Sequence, residues 1–170
     1  KQIADWLYKK RVKSIDQMTN LSKSAREKLA SEYEVGRLEY SGKIVSTDGT
    51  KKYLFMTGER GVETVMIPDD DRYTVCVSSQ VGCKMGCKFC MTGRQGFHGH
   101  LTPAQILSQF MEIDEAQLLT NAVFMGMGEP LDNYPAVMKT IEILTAEWGF
   151  GWSPKRITLS TIGVHPTLKN

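Results

Sequence analysis

The sequence predicts an α/β fold: the first part of a TIM-like (βα) barrel, preceded by a small β meander and an N-terminal helical accessory segment. Three observations carry this expectation. From Tyr73 onward, apolar strand-like runs alternate with helical stretches, the pattern of a parallel sheet with right-handed crossovers. Residues 38–67 instead hold three runs rich in β-branched and aromatic residues, broken by Asp48-Gly49 and Arg60-Gly61, as in short antiparallel strands. Residues 1–33 follow helical spacing. The expected units are 1–35, 36–71 and 72–170.

Each element has a local reason. Ile3, Trp6 and Leu7 give a short apolar helix face, and Ser24-Ala25-Arg26-Glu27 fits a capping box with Leu29, Ala30 and Tyr33 behind it. Strands are expected at Leu38–Thr47, Lys52–Thr57 and Val62–Ile67, followed by a turn or linker at Pro68 and Asp69-Asp70-Asp71. Tyr73–Ser78 reads as a strand and Val81–His100 as a long Gly- and Cys-rich loop. Thr102-Pro103-Ala104-Gln105 opens a helix with an N-cap, a Pro at the first helical position and a Gln three residues after the cap. Ala122–Met127 is an apolar strand ending in a Gly-rich turn, Tyr134–Ala146 is helical, and Arg156–Thr161 is a third strand. Three βα units cannot close a barrel, so a longer protein is expected.

Composition excludes several classes. Of 170 residues 41% are apolar and 24% charged, the mix of a soluble globular protein. No apolar run approaches a membrane span, and the start lacks a signal pattern, so a cytoplasmic location with no membrane partner is expected. A net charge of +2 does not by itself argue for nucleic acid. Lys9, Lys10, Arg11 and Lys13, and then Lys23, Arg26 and Lys28, form local basic clusters that read as solvated helix faces.

All four cysteines lie between positions 76 and 90. Such clustering points to metal or redox chemistry rather than a disulfide framework. Cys83, Cys87 and Cys90 have x3 and x2 spacing. Thiolates are soft ligands suited to iron–sulfur clusters, and three on a four-iron cube leave one iron open to a substrate. The spacing resembles that of radical S-adenosylmethionine (SAM) enzymes, whose [4Fe–4S] cluster binds SAM at that iron. Phe89 stands where those enzymes usually have an aromatic residue. The loop follows a strand, at the end where barrel active sites form. A zinc site with Cys76 as fourth ligand fits the spacing less well. Gly126-Met127-Gly128-Glu129-Pro130 closes the next strand: its glycines permit close approach to a ligand, and Glu129 can accept from the ammonium group of SAM. Ser160 could contact the ribose or carboxylate.

Two longer stretches are familiar. Cys76-Val77-Ser78-Ser79-Gln80-Val81-Gly82-Cys83 with Gln95-Gly96-Phe97, and Phe124 through Leu131, closely resemble the RlmN family. Trp6-Leu7-Tyr8-Lys9-Lys10, Met18-Thr19-Asn20-Leu21-Ser22, Gly149-Phe150-Gly151 and Arg156 through Gly163 extend the resemblance over essentially the whole chain. Pro130 resembles RlmN rather than its relative Cfr, which tends to carry Ala there. The resemblance implies methylation of adenosine C2 in 23S rRNA and tRNA; the expected partners are those RNAs and an electron donor such as flavodoxin, and a monomer is expected. It implies that a cysteine near the C-terminus carries the methyl group, that Cys76 resolves the protein–RNA adduct by forming a disulfide with that carrier, and that Glu63 accepts a proton. It implies that Gly128, Glu129 and Ser160 bind SAM, and that the N-terminal helices form an RNA-binding module whose basic clusters contact phosphate. No cysteine follows Cys90, so the carrier is absent and the chain is expected to be an inactive fragment. His98 and His100 are assigned no role. The alternatives are a Cfr-like adenine-C8 methyltransferase, a non-catalytic zinc-stabilised RNA-binding module, and a thiol redox protein using Cys76.

Overall fold

The computed structural model describes residues 2–164. The N-terminal segment is less helical than its spacing suggests. A short helix α1 (Gln2–Ala4) runs into a π-type turn over Asp5–Lys9, and Arg11 then takes φ 55°, which ends helical continuity. After a 3-10 turn at Ile15–Gln17, α2 spans Lys23–Glu32. Its cap is Ser22, not Ser24: Ser22 Oγ accepts from the Ala25 N–H at 3.2 Å. Ser24 already lies inside the first turn, and extended backbone precedes the helix at Ser22. Tyr33 caps the other end in extended conformation and is exposed. Val12, Ile15 and Met18 form a small core against Trp6, Leu7, Leu21, Leu29 and Val35, while Ile3 stays exposed.

The chain then builds an antiparallel meander. Strands β1 (Tyr40–Val45), β2 (Lys51–Thr57), β3 (Arg60–Asp69) and β4 (Arg72–Cys76) pair in sequence order. The triple-aspartate segment is a tight turn between β3 and β4, with Asp70 at φ 46°. Residues 81–100 are more ordered than a loop. β5 (Gln80–Gly82) pairs with β6 (Phe97–His100) as a separate hairpin, and a single helical turn α3 (Met91–Arg94) lies between them. Helix α4 (Pro103–Met111) starts with the full capping box of Thr102 and Gln105; losing such a cap costs about 1 kcal/mol. β7 (Asn121–Phe124), α5 (Tyr134–Thr145) and β8 (Ile157–Leu159) follow.

The main sheet has the order β1-β2-β3-β4-β7-β8. Strand β4 pairs antiparallel with β3 and parallel with β7, so meander and barrel strands share one sheet that changes sense at β4. Helices α4 and α5 cover one face. There Ile106, Phe110, Val137 and Leu144 pack against Tyr53, Phe55, Val75, Ala122 and Phe124, all at 0–1% exposure. Truncating a ring such as Phe110 in this layer would cost roughly 3–5 kcal/mol. The opposite face carries Glu63, Val65, Cys76, Val123 and Thr158, none of them fully buried. Among the described residues no helix is long and apolar enough to cross a membrane.

Candidate functional site

Alternation along β4 buries Val75 under the helices and turns Cys76 to the open face. Cys76 lies opposite Val65 on one side and Val123 on the other. Burial pushes its thiol pKa up, while a hydrogen bond from the Met125 backbone N–H acts in the opposite sense. Glu63, two residues from Val65, shares that face. It is exposed and paired with Lys52 at 3.0 Å, an exposed ion pair of the kind worth about 0–1 kcal/mol. The structure thus brings Cys76 and Glu63 to one surface.

Beyond β4 the chain turns inward, and polar side chains fix its path. Ser78 is fully buried. Its Oγ donates to the Glu63 carbonyl at 2.6 Å and accepts from the Met127 N–H at 2.9 Å. Gln109 of α4 grips the Ser78 backbone, accepting from its N–H at 2.8 Å and donating to its carbonyl at 2.9 Å, and it also accepts from Thr64 Oγ1. Gln80, also fully buried, donates to Asp132 at 2.7 Å and lies 3.1 Å from His100 Nδ1. Its Oε1 accepts from the Glu129 N–H at 2.9 Å. Asn133 donates to the Ser79 and Leu101 carbonyls, both at 2.8 Å. Sequence reasoning missed Ser78, Gln80, Gln109 and Asn133. Their signal is weak, since polar residues at a strand end read as a solvated loop until tertiary packing buries them.

The cysteine loop has a closed base. Gly82 adopts φ +73°, and a Cβ there would lie 1.8 Å from the Gly96 carbonyl, so only glycine fits. The Cys83 N–H donates to that same carbonyl at 3.0 Å. Within the loop the Cys90 N–H donates to the Cys87 carbonyl at 3.0 Å. Cys90 heads the α3 turn, where the backbone N–H groups of Gly93 and Thr92 hold its thiol below the usual range. Lys84 pairs with Asp132 at 3.0 Å and lies 4.4 Å from the centre of the Phe97 ring. Phe89 is 93% exposed.

All four cysteines are free and half-buried. The disulfide expected during turnover therefore has no pair within this chain. Among the described residues, no three His, Cys, Asp or Glu side chains converge as a ready metal site. The donor chemistry nonetheless fits an iron–sulfur group: three soft thiols within eight residues, on a loop clamped at its base, none spent on a disulfide. Cys76 lies at the end of β4, outside this loop.

The turn after β7 has a further constraint. Glu129 is only 4% exposed. Its carboxylate accepts from the Leu131 N–H at 3.0 Å, the Ile162 N–H at 3.1 Å and the Thr161 hydroxyl. It thereby ties the end of β7 to the segment after β8, leaving about one of four acceptor positions for an ammonium group. Gly128 has φ +99°, and a Cβ there would lie 2.5 Å from Gln80 Cβ; one on Gly126 would meet the Val77 carbonyl at 2.7 Å. Both glycines are therefore demanded by the protein's own packing, a reason the sequence alone did not disclose. Ser160 is exposed just past β8, two residues beyond Thr158, and strand alternation puts it on the open face with Cys76.

The chain is similar to several known proteins. Residues 77–170 match the Radical SAM superfamily, and residues 1–35 match the ribosomal RNA large subunit methyltransferase N-terminal domain. The chain is 58% identical, over 96% of its length, to a probable dual-specificity RNA methyltransferase RlmN of Porphyromonas gingivalis. It is 47% identical, over 98% of its length, to the dual-specificity RNA methyltransferase RlmN of Bdellovibrio bacteriovorus. The crystal structure of a radical SAM methyltransferase from Sphaerobacter thermophilus superposes with a TM-score of 0.86 at 41% identity, covering 97% of this chain and 50% of that one. The chain spans about half the length of the curated relatives it matches.

Proposed function

The chain belongs to the radical SAM superfamily, and from that premise we propose that the full-length protein methylates C2 of adenosine in 23S rRNA and in tRNA. Membership implies SAM and an iron–sulfur cluster as cofactors. One observation carries the reading: a clamped loop with Cys83, Cys87 and Cys90 follows the same strand whose last residue, Cys76, faces the open surface. The names of the relatives, dual-specificity RNA methyltransferases, support the substrate class.

In this reading Cys83, Cys87 and Cys90 hold a [4Fe–4S] cluster, which when bound supplies the electron for reductive cleavage of the SAM sulfonium. Carbon C2 of adenine is not nucleophilic, so a radical route suits the substrate. Gly128, Glu129 and Ser160 bind SAM. The Glu129 carboxylate orients the turn through its three internal bonds and offers its remaining position to the amino group. Cys76 supplies a thiol beside the RNA, and Glu63, on the same face, accepts a proton. Residues 1–35 contact RNA. The enzyme works as a cytoplasmic monomer with a flavodoxin-type reductant.

The test is anaerobic reconstitution of the full-length protein, iron and sulfide analysis, and mass spectrometry of an rRNA fragment after incubation with SAM and reductant. Iron, sulfide and 2-methyladenosine are the expected products. Zinc without iron, or methylation at C8, would overturn the assignment.

A further inference from the structure

Cys76 and the cysteine loop lie at the C-terminal ends of the parallel strands. The opposite end carries its own cavity, and the reaction makes no use of it. It has a volume of 430 Å³ and is lined by Tyr8, Lys9 and Arg11 of the N-terminal segment, by Ala116, Gln117 and Leu119 before β7, and by Phe150, Trp152 and Arg156 before β8. Arg156 and Ser160 are separated by four residues of extended chain, roughly 13 Å at about 3.3 Å per residue.

Two guanidinium groups define the cavity, and each lies over an aromatic ring. Arg11 is 5.4 Å from the centre of Phe150, and Arg156 is 5.9 Å from the centre of Trp152. Those rings meet edge to face at 6.3 Å, and Tyr8 extends the row at 6.2 Å from Phe150. Stacking of this kind holds a guanidinium in place while its N–H edge stays available.

Neither arginine has a carboxylate partner among the described residues. Arg11 Nη1 is buried and makes no hydrogen bond, a costly state for a cation. Glu112, the acid whose charge reaches Arg11, is already paired with Arg37 and Lys13. Lys9, at the rim, is 3.9 Å from Asp5. The site thus carries positive charge, oriented donors and an unmet hydrogen-bonding demand.

We propose that this cavity binds the phosphodiester backbone of the substrate RNA, away from the reacting adenosine, with Arg11 and Arg156 as its phosphate ligands. The N-terminal segment and the barrel strands would then hold the RNA jointly through one composite pocket. This rests on the RNA methyltransferase reading above.

The test uses the full-length, cluster-loaded protein and an unmodified tRNA transcript, with the dissociation constant measured by fluorescence anisotropy across a salt series. Removing one cation that binds a phosphate should flatten the plot of log affinity against log salt by about 0.7–0.9. Arg156 is exposed, so Arg156→Ala should fold normally; it should weaken binding roughly 5- to 10-fold near 0.1 M salt and flatten the slope by that increment. Arg156→Lys should keep most of the slope, and Arg11→Gln should weaken binding in the same sense. Wild-type affinity and slope in both Arg156→Ala and Arg11→Gln, with the wild-type protein methylating the transcript, would overturn the pocket and leave the function standing. A wild-type protein that neither binds nor methylates the transcript would overturn both.

Discussion

The backbone N–H of Glu129 donates to the side-chain oxygen of Gln80 at 2.9 Å. This bond joins the base of the cysteine loop to the turn that closes β7. The other end of the Gln80 amide reaches Asp132, which also holds Lys84 inside the loop. One buried side chain therefore sets the distance between the cysteine loop and the turn after β7.

Gln80→Leu should uncouple the two. The Glu129 N–H and the Asp132 carboxylate lose a buried partner, each at about 1–3 kcal/mol. We expect a stability loss of about 2–4 kcal/mol in urea unfolding, with SAM affinity down roughly 10-fold if the turn shifts. Unchanged SAM affinity in a destabilised variant would reduce Gln80 to a purely structural role.

Gly128→Ala attacks the same packing from the other side. A methyl group at φ +99°, aimed within 2.5 Å of Gln80 Cβ, must displace the buried amide or the turn. A cost of at least about 2–3 kcal/mol is expected, read as a lowered melting temperature. A near-neutral result would mean that the turn relaxes freely.

The sequence disclosed these elements unevenly. The capping box at Thr102 was legible because its chemistry lies within four residues. The β5–β6 hairpin was not: Gln80–Gly82 is too short to show alternation, and its partner lies beyond the cysteine loop. Cys83, Cys87 and Cys90 stand out in the sequence as a candidate ligand set through their close spacing, whereas Gln109 sits 31 residues from the Ser78 backbone it grips. The sharing of one sheet by meander and barrel strands depends on β4 pairing both ways, which no local pattern encodes.

The cysteines should differ in reactivity. Burial raises the Cys76 thiol pKa, and the thiolate is the reactive form. Iodoacetamide labelling of Cys76, followed by peptide mass spectrometry, should therefore be slow near neutral pH and rise with a midpoint above the usual thiol value of about 8.5. A midpoint at or below that value would show that the thiol is less buried than the fold requires.

Replacing Cys83, Cys87 or Cys90 singly with Ala should leave two thiols for a group that needs three. Iron content in the full-length protein should collapse and deoxyadenosine production should fall to background. Retained SAM cleavage in any of the three would remove that cysteine from the ligand set.

Cys76→Ala in the full-length protein should trap the enzyme on its RNA. In the function proposed above, the carrier cysteine becomes joined to adenine C2 through the transferred carbon, and release then needs a thiolate to attack the carrier sulfur. The new S–S bond forms as the C–S bond breaks, and the bonding pair stays with the carbon, which then takes up a proton. Cys76 is the cysteine of this chain outside the 83–90 triplet, and it faces the open surface with Glu63. Burial raises its thiol pKa, so the thiol must lose a proton before it attacks. Removing it should leave RNA addition intact and block release. A band of protein–RNA complex that disappears on RNase treatment is the expected result. Normal turnover would make Cys76 an ordinary strand residue, and absence of any adduct would move its action ahead of the addition step.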